Sequence, residues 1–345
     1  MHFPGDSYPL VDVVGVGINA TDTIIRLPYF PALDSKVEIS SVELRAGGQV
    51  ASAMVACRRW GLRTRYVGKI ADDSAGDFQL AEMTREGVEA HWIVSAGRAS
   101  QSAFILVDEI SGERTVLWKR DLSIALLPSD LKKDFISRSR VLLVDGHDTA
   151  AATCAARWAK EESIQVVGDF DNLYEGVEEL LENTDYVIAS KDFPQRLTKE
   201  PNLLKSLPPI FSDFKCRLIA VTLGRLGAIA WNGAAFFLCP GFKVRAVDTT
   251  GAGDIFHGAF IYGLIQKWPL QRILDFSCAA AALNCTAVGA RGNIATLQEI
   301  DELLRRGARS EIAFESKELL EAGEHARRVE RATSEHRPVS RGKSS

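Results

Sequence analysis

Short apolar runs rich in β-branched residues alternate with longer segments of helical period along most of the chain. The first is Val11-Asp12-Val13-Val14-Gly15-Val16-Gly17-Ile18. A run of this length, ended by glycine, reads as a strand buried on both faces. Similar runs recur at Val141–Val144, Val166–Val167, Tyr186–Ala189 and Leu218–Leu223, with helical stretches such as Ala150–Glu162 and Gly176–Asn183 between them. Strand alternating with helix predicts an α/β fold: a mostly parallel central sheet with helices on both faces. Ligands on such sheets collect at the carboxyl ends of the strands. Asn19, Asp22, Asp145, His147, Asp169, Asp171 and Thr222 fall at those ends.

Two segments break the pattern. Residues 36–45 alternate polar and apolar positions (Val37, Ile39, Val42, Leu44). Within residues 100–120, Ser102–Asp108 and Arg114–Lys119 read as two half-buried strands joined by a turn at Ser111-Gly112. Such strands suit a small sheet standing over the site as a lid, or an edge extension of the main sheet. Beyond Arg305 the composition shifts. Glu311–Arg331 is heavily charged, with Lys317-Glu318-Leu319-Leu320-Glu321 helical, and Ser334–Ser345 reads as a disordered tail. No internal repeat is found.

Length and composition narrow the classes of function. A chain of 345 residues suffices for one large α/β unit with an appendage. A net charge of −4, with no basic stripe in the body of the chain, argues against nucleic acid as a partner. No apolar run is long enough to span a bilayer, and Met1-His2-Phe3-Pro4-Gly5-Asp6 carries no export signal. Six scattered cysteines include no Cys-x-x-Cys pair. They fit buried thiols in a reducing compartment, and a cytoplasmic location is expected.

The densest chemistry lies in Asp248-Thr249-Thr250-Gly251-Ala252-Gly253-Asp254, which leads into the apolar stretch Ile255–Leu264. A helix start offers unpaired N–H groups and the positive end of its dipole to phosphate oxygens. Gly251 and Gly253 allow close approach. A carboxylate beside an anion site opposes binding, so Asp254 calls for another role. The role that fits is accepting a proton from an attacking hydroxyl, although Asp also serves simply to favour a helix start. A second glycine pair, Gly47-Gly48, feeds a helix of small residues in which Gln49 and Ser52 could hydrogen-bond a polyhydroxylated ligand.

Taken together and in order, these motifs resemble the ribokinase-like (PfkB) family of sugar and nucleoside kinases. The matching features are Gly15-x-Gly17…Asp22, Gly47-Gly48, Val67-Gly68…Asp72-Asp73-x-x-Gly76, Val221-Thr222-Leu223-Gly224-x-x-Gly227 and Asp248–Asp254. The resemblance implies a three-layer sandwich with a β-sheet lid over residues 1–310, and leaves 311–345 as an appendage. It implies an ATP-dependent sugar kinase using Mg2+. Asp254 would be the base, and the amides of Gly251, Ala252 and Gly253 the anion hole. Asp22, Gly47, Gly48, Gln49 and Ser52 would hold the sugar, with His147 a further candidate at a strand end. Thr222, Gly224, Gly227, Asn284 and Gly289 would line the nucleotide. Asp248 and Thr250 match positions that hold a monovalent cation, K+, in some members.

Departures from the family pattern are equally specific. Ser52 stands where the family usually has a sugar-contacting Asn. The Asn-x-x-Glu motif that orders magnesium waters falls at Ser190-Lys191-Asp192-Phe193, without the Asn or the Glu. Asp192, or the pair Asp169 and Asp171, would then serve, or the nucleotide would hold the metal. His257, Ser100–Ala103, Gly112-Glu113-Arg114 and Ala282–Thr286 resemble the branch containing sulfofructose kinases and ketohexokinases, which implies a ketose or an acidic sugar. Two alternatives stay open: an adenosine-like nucleoside kinase with Phe104 and Trp118 as a purine wall, and a non-catalytic sugar or nucleotide sensor. Exposed lid edges could pair two copies, so a homodimer through the lid is a candidate assembly.

Overall fold

The computed structural model describes residues 8–320. Thirteen strands form two sheets. They are β1 (Val11–Val16), β2 (Ala20–Leu27), β3 (Ser41–Gly47), β4 (Thr64–Ala71), β5 (Glu89–Ser95), β6 (Ser102–Asp108) and β7 (Arg114–Lys119) in the amino-terminal part. β8 (Ser139–Asp145), β9 (Gln165–Phe170), β10 (Tyr186–Ser190), β11 (Leu218–Thr222), β12 (Gly227–Trp231) and β13 (Phe236–Pro240) follow.

Nine strands make the main sheet in the order β13-β12-β11-β10-β9-β8-β1-β4-β5. All its pairings are parallel except β11 with β12 and β12 with β13, which close one edge as a hairpin. Alternate side chains of each strand enter different cores, as a pleat buried on both faces requires. Val13, Val141 and Leu143 join helices Gln49–Arg59, Ala252–Ile265 and Leu270–Asn284 on one face. Val14, Leu142 and Val144 join helices Thr149–Glu161 and Leu203–Phe214 on the other. The expected three-layer α/β architecture is present.

The lid is a separate four-stranded sheet, β3-β2-β6-β7, not an edge extension. Two corrections concern its strands. Residues 36–40 are not strand: the last pairing of β3 is Ser41 with Arg26, Ser40 N still donates to Arg26 O at 3.0 Å, and β2 ends at Leu27, which leaves residues 36–39 beyond its end. β2, which carries Asp22, was not anticipated from the sequence and is the central strand of the lid, paired to β3 and β6. Cross-strand register puts Ala103, Ile105 and Val107 on one face with Trp118, Val116 and Arg114, and Phe104 and Leu106 on the other with Leu117 and Thr115.

All six cysteines are free, and all but Cys154 are buried. No described helix is long and apolar enough to cross a membrane. Lys317–Leu320 forms one helical turn whose Leu319 joins the second core. The rest of the charged segment expected beyond 320, and the tail, lie outside the described residues.

Candidate functional site

Helix Ala252–Ile265 begins at Gly251, whose φ of 73° is left-handed. A Cβ there would also collide with the carbonyl of Ala290, so glycine is required twice over. Among the described residues, the N–H groups of Gly251, Gly253 and Asp254 meet no acceptor, while Ala252 N makes only a long contact to Thr249 O at 3.4 Å. Beside Gly253 the space is open to at least 4 Å. Unspent amides around open space at a helix start form an anion site.

The loop is held from behind. Asp248, fully buried, accepts from Thr250 N (2.8 Å), Thr250 Oγ1 (2.6 Å) and Gly289 N (2.8 Å). Asn284, also fully buried, donates to Thr250 O and Ala290 O at 3.2 Å each and accepts from Asn293 N. Asn284 and Gly289, expected to line the nucleotide, therefore sit behind the anion loop and shape it. Donors converge on Asp248, and Thr250 O is also engaged. Asp248 and Thr250, the candidate K+ positions, thus hold the loop together, and no step below depends on K+.

Asp254 and Asp22 face this space without hydrogen-bond donors among the described residues. Burial raises the Asp254 carboxyl to about 7, against the favourable charges of Arg114 and Arg291. Asp22 is likewise raised to about 7 by burial, with Asp254 adding repulsion. Its carboxylate abuts Gly47, where a Cβ would collide with it. Gly48, at φ 91°, caps the helix Gln49–Arg59 under Ile18 and Asn19. Gln49 Oε1 is buried without a partner. Ser52 is fully buried and accepts from Arg291 Nε at 3.3 Å.

The strand ends supply the remaining wall. Asp145 accepts from Ile18 N (2.7 Å) and His147 N (3.1 Å). His147 Nε2 lies 3.2 Å from Tyr174 Oη, and Trp118 of the lid meets its ring edge-on. Burial lowers the pKa of His147, against the opposing charge of Asp171. Trp118 thus faces inward. Phe104, its expected companion in a purine wall, lies on the opposite face of the lid. Asp169 is raised well above the usual carboxylate range by burial and by Asp171, Asp254 and Asp145. His257 reaches toward it (3.4 Å) but is bonded to Gly253 O at 2.8 Å, so it packs behind the anion loop. Asp192 directly precedes helix Phe193–Thr198. Thr222 closes β11, and Gly224 and Gly227 shape the following turn at the same sheet edge.

Two residues were not picked out as site residues in the sequence. Arg114 of the lid donates to Thr249 Oγ1 at 3.1 Å, beside the backbone bond from Thr249 N to Gly112 O at 3.0 Å. The lid turn therefore docks on the segment entering the anion loop. Arg291 reaches in from the loop after Gly289. Arg114 entered the sequence reading only within Gly112-Glu113-Arg114, as a branch resemblance, and Arg291 had no signal, because a single arginine beside glycine is usually solvated.

Residues 12–297 match the model of the pfkB family carbohydrate kinases. A curated relative, the 5-dehydro-2-deoxygluconokinase of Geobacillus kaustophilus, is 23% identical over 326 residues, spanning 88% of this chain and 96% of that protein. A putative ribokinase from Agrobacterium tumefaciens superposes with a TM-score of 0.80 at 27% identity, over 86% of this chain and 97% of the other. A putative ribokinase II from E. coli in complex with ATP and Mg2+ gives 0.74 at 20% identity, over 86% and 99%, and shares the fold. With a match over most of its length, this chain belongs to the pfkB family of carbohydrate kinases and is a phosphotransferase acting on an alcohol group of a sugar.

Proposed function

We propose that the chain transfers the γ-phosphate of ATP to a sugar hydroxyl held between the carboxyl edge of the main sheet and the lid. The observation that carries this reading is the pairing of unspent amides at Gly251, Gly253 and Asp254 with a donor-free carboxylate on Asp254 itself. Thr222, Gly224 and Gly227 would line the nucleotide, with its phosphates on the amides. Asp22, the Gly47-Gly48 backbone and Gln49 would orient the acceptor. Asp254 takes the hydroxyl proton as the oxygen attacks in line, and the amides take up charge on the transferring group.

The site fits a magnesium-bound nucleotide. Asp145 and Asp169 are buried and Asp171 lies exposed beside them, and the repulsion among them is a strain that a divalent cation would relieve. Among the described residues no group of acidic or histidine ligands forms a complete metal cage. That suits an ion carried mainly by phosphates with one or two carboxylates, Asp169 and Asp171, in support. When bound, the metal neutralises phosphate charge and orients the leaving group. Arg114, docked at Thr249, adds a cation from the lid and ties closure of the site to transfer.

A thermal-shift screen with an inert ATP analogue and a panel of sugars, followed by ADP release with each hit, tests this reading. At least one sugar should raise the melting temperature and release ADP stoichiometrically with phosphorylation. Binding without turnover for every hit would favour the sensor.

The outer lid face carries Val42, Leu44, Phe104 and Leu117, between 52% and 55% exposed. We propose that two copies pair through it. Sedimentation should give a dimer, and Phe104→Glu a monomer. An unchanged state for that variant would reject the lid as the interface.

A further inference from the structure

Ser52 is shorter than the Asn usual at its position, and the structure shows what occupies the space. Arg291 lays its guanidinium there, donating from Nε to Ser52 Oγ and from Nη2 to Gly47 O, each at 3.3 Å. Its third nitrogen, Nη1, is buried without a partner. Both protein contacts lie in the Gly47–Ser52 segment that would hold the sugar. The Gly47 that Arg291 bonds is the residue that the Asp22 carboxylate abuts, and the guanidinium charge is felt at both Asp22 and Asp254. Behind it, Glu82 and Glu86 favour the charged form. Where an Asn would offer a neutral amide, Ser52 leaves room for a fixed cation with one donor unspent among the described residues, since guanidinium does not lose its proton in proteins.

That exchange changes what the pocket accepts. An anionic sugar approaching Asp22 and Asp254 would meet two carboxylates, and only a counter-charge makes its entry favourable. A neutral sugar could satisfy Nη1 through a hydroxyl oxygen, but a charge-assisted bond is roughly twice as strong. We infer that Arg291 determines acceptor specificity and that the acceptor carries an anionic group, a carboxylate or a phosphate, bonded to Arg291 Nη1. This rests on the kinase reading above and adds the substrate class and the residue that selects it.

The test uses the full chain with ATP and two kinds of acceptor. Anionic probes are D-gluconate and 5-keto-D-gluconate for a carboxylate and D-fructose 6-phosphate for a phosphate. Neutral probes are D-fructose and D-ribose. The wild type should favour at least one anionic probe, by kcat/KM, over both neutral ones, and the better anionic arm identifies the group. Arg291→Gln should cut that preference about 10- to 100-fold, mainly through acceptor KM, the span expected for a hydrogen bond to a charged group. Arg291→Lys should keep part of it. Ser52→Asn with Arg291→Gln, which returns a neutral amide, should shift preference toward the neutral probes. A wild type that favours a neutral sugar overturns the inference and leaves the kinase reading standing. So does an Arg291→Gln variant that loses both classes equally. If no acceptor releases ADP, the kinase reading itself fails. Should Arg291→Gln not fold, the wild-type preference and Arg291→Lys still decide.

Discussion

Asp254→Asn is expected to lower kcat by about 10²- to 10⁴-fold, the usual contribution of a positioned base, while ATP and sugar still bind. The amide cannot take a proton, but it keeps the shape of the carboxylate and leaves the backbone N–H groups in place. The pH profile of the wild type should carry the same information. Because burial raises Asp254 to about 7, the carboxylate is lost as pH falls through that value, and kcat/KM should fall with it. Asp22, raised to about 7 and repelled by Asp254, titrates with it, so the acid limb belongs to the pair. In Asp254→Asn one partner is gone, and the residual activity should show an acid limb shifted downward as Asp22 loses its repelling neighbour. A profile flat from pH 5 to 8 in the wild type would remove Asp254 as the base.

The second large effect separates two glycines a residue apart. At Gly251 a side chain meets both a left-handed φ of 73° and the Ala290 carbonyl. Gly251→Ala should lower Tm by about 3–8 °C, because left-handed backbone alone costs a non-glycine residue about 1–2 kcal/mol, and activity should vanish with the distorted loop. Gly253 lies in the first helical turn with open space beside it. Alanine there is accommodated, and by helix propensity it should raise stability by up to about 1 kcal/mol. The added methyl projects into the volume where a phosphoryl group must approach the amides. Gly253→Ala should therefore fold as well as the parent and lose about 10²-fold in kcat/KM for ATP. Melting curves and ATP kinetics on the two variants check this. Equal thermal damage at both positions, or full activity in Gly253→Ala, would contradict it.

The parallel sheet was legible because its strands are buried on both faces and so carry unbroken apolar runs, as in β1 and β8. β2 was not. Thr21, Asp22 and Thr23 interrupt its pattern: Asp22 shares the inward face with Ala103 and Trp118, while Thr21 and Thr23 sit on the other face. Residues 36–40 showed the opposite error: they alternate like a strand, but β2 ends at Leu27 and only Ser40 N reaches it. In the site, Asp254 and its glycines were legible because their chemistry is compressed into one run. Asn284 and Gly289 were placed at the nucleotide by sequence; what only the fold shows is that the buried Asn284 amide bridges Thr250 O and Ala290 O and that Gly289 N bonds Asp248. Arg291 gave no local signal at all. Its meaning depends on Ser52, 239 positions away in the chain, and only the folded form brings the short side chain and the long one together.

A structure of the enzyme with ADP, magnesium, aluminium fluoride and a sugar it phosphorylates would test the central claim most directly. The account predicts the fluoroaluminate within about 3 Å of the amides of Gly251, Gly253 and Asp254, with the Asp254 carboxylate in hydrogen-bond reach of the in-line sugar oxygen. A planar group bound elsewhere on the sheet edge, or a carboxylate turned from the acceptor, would contradict it.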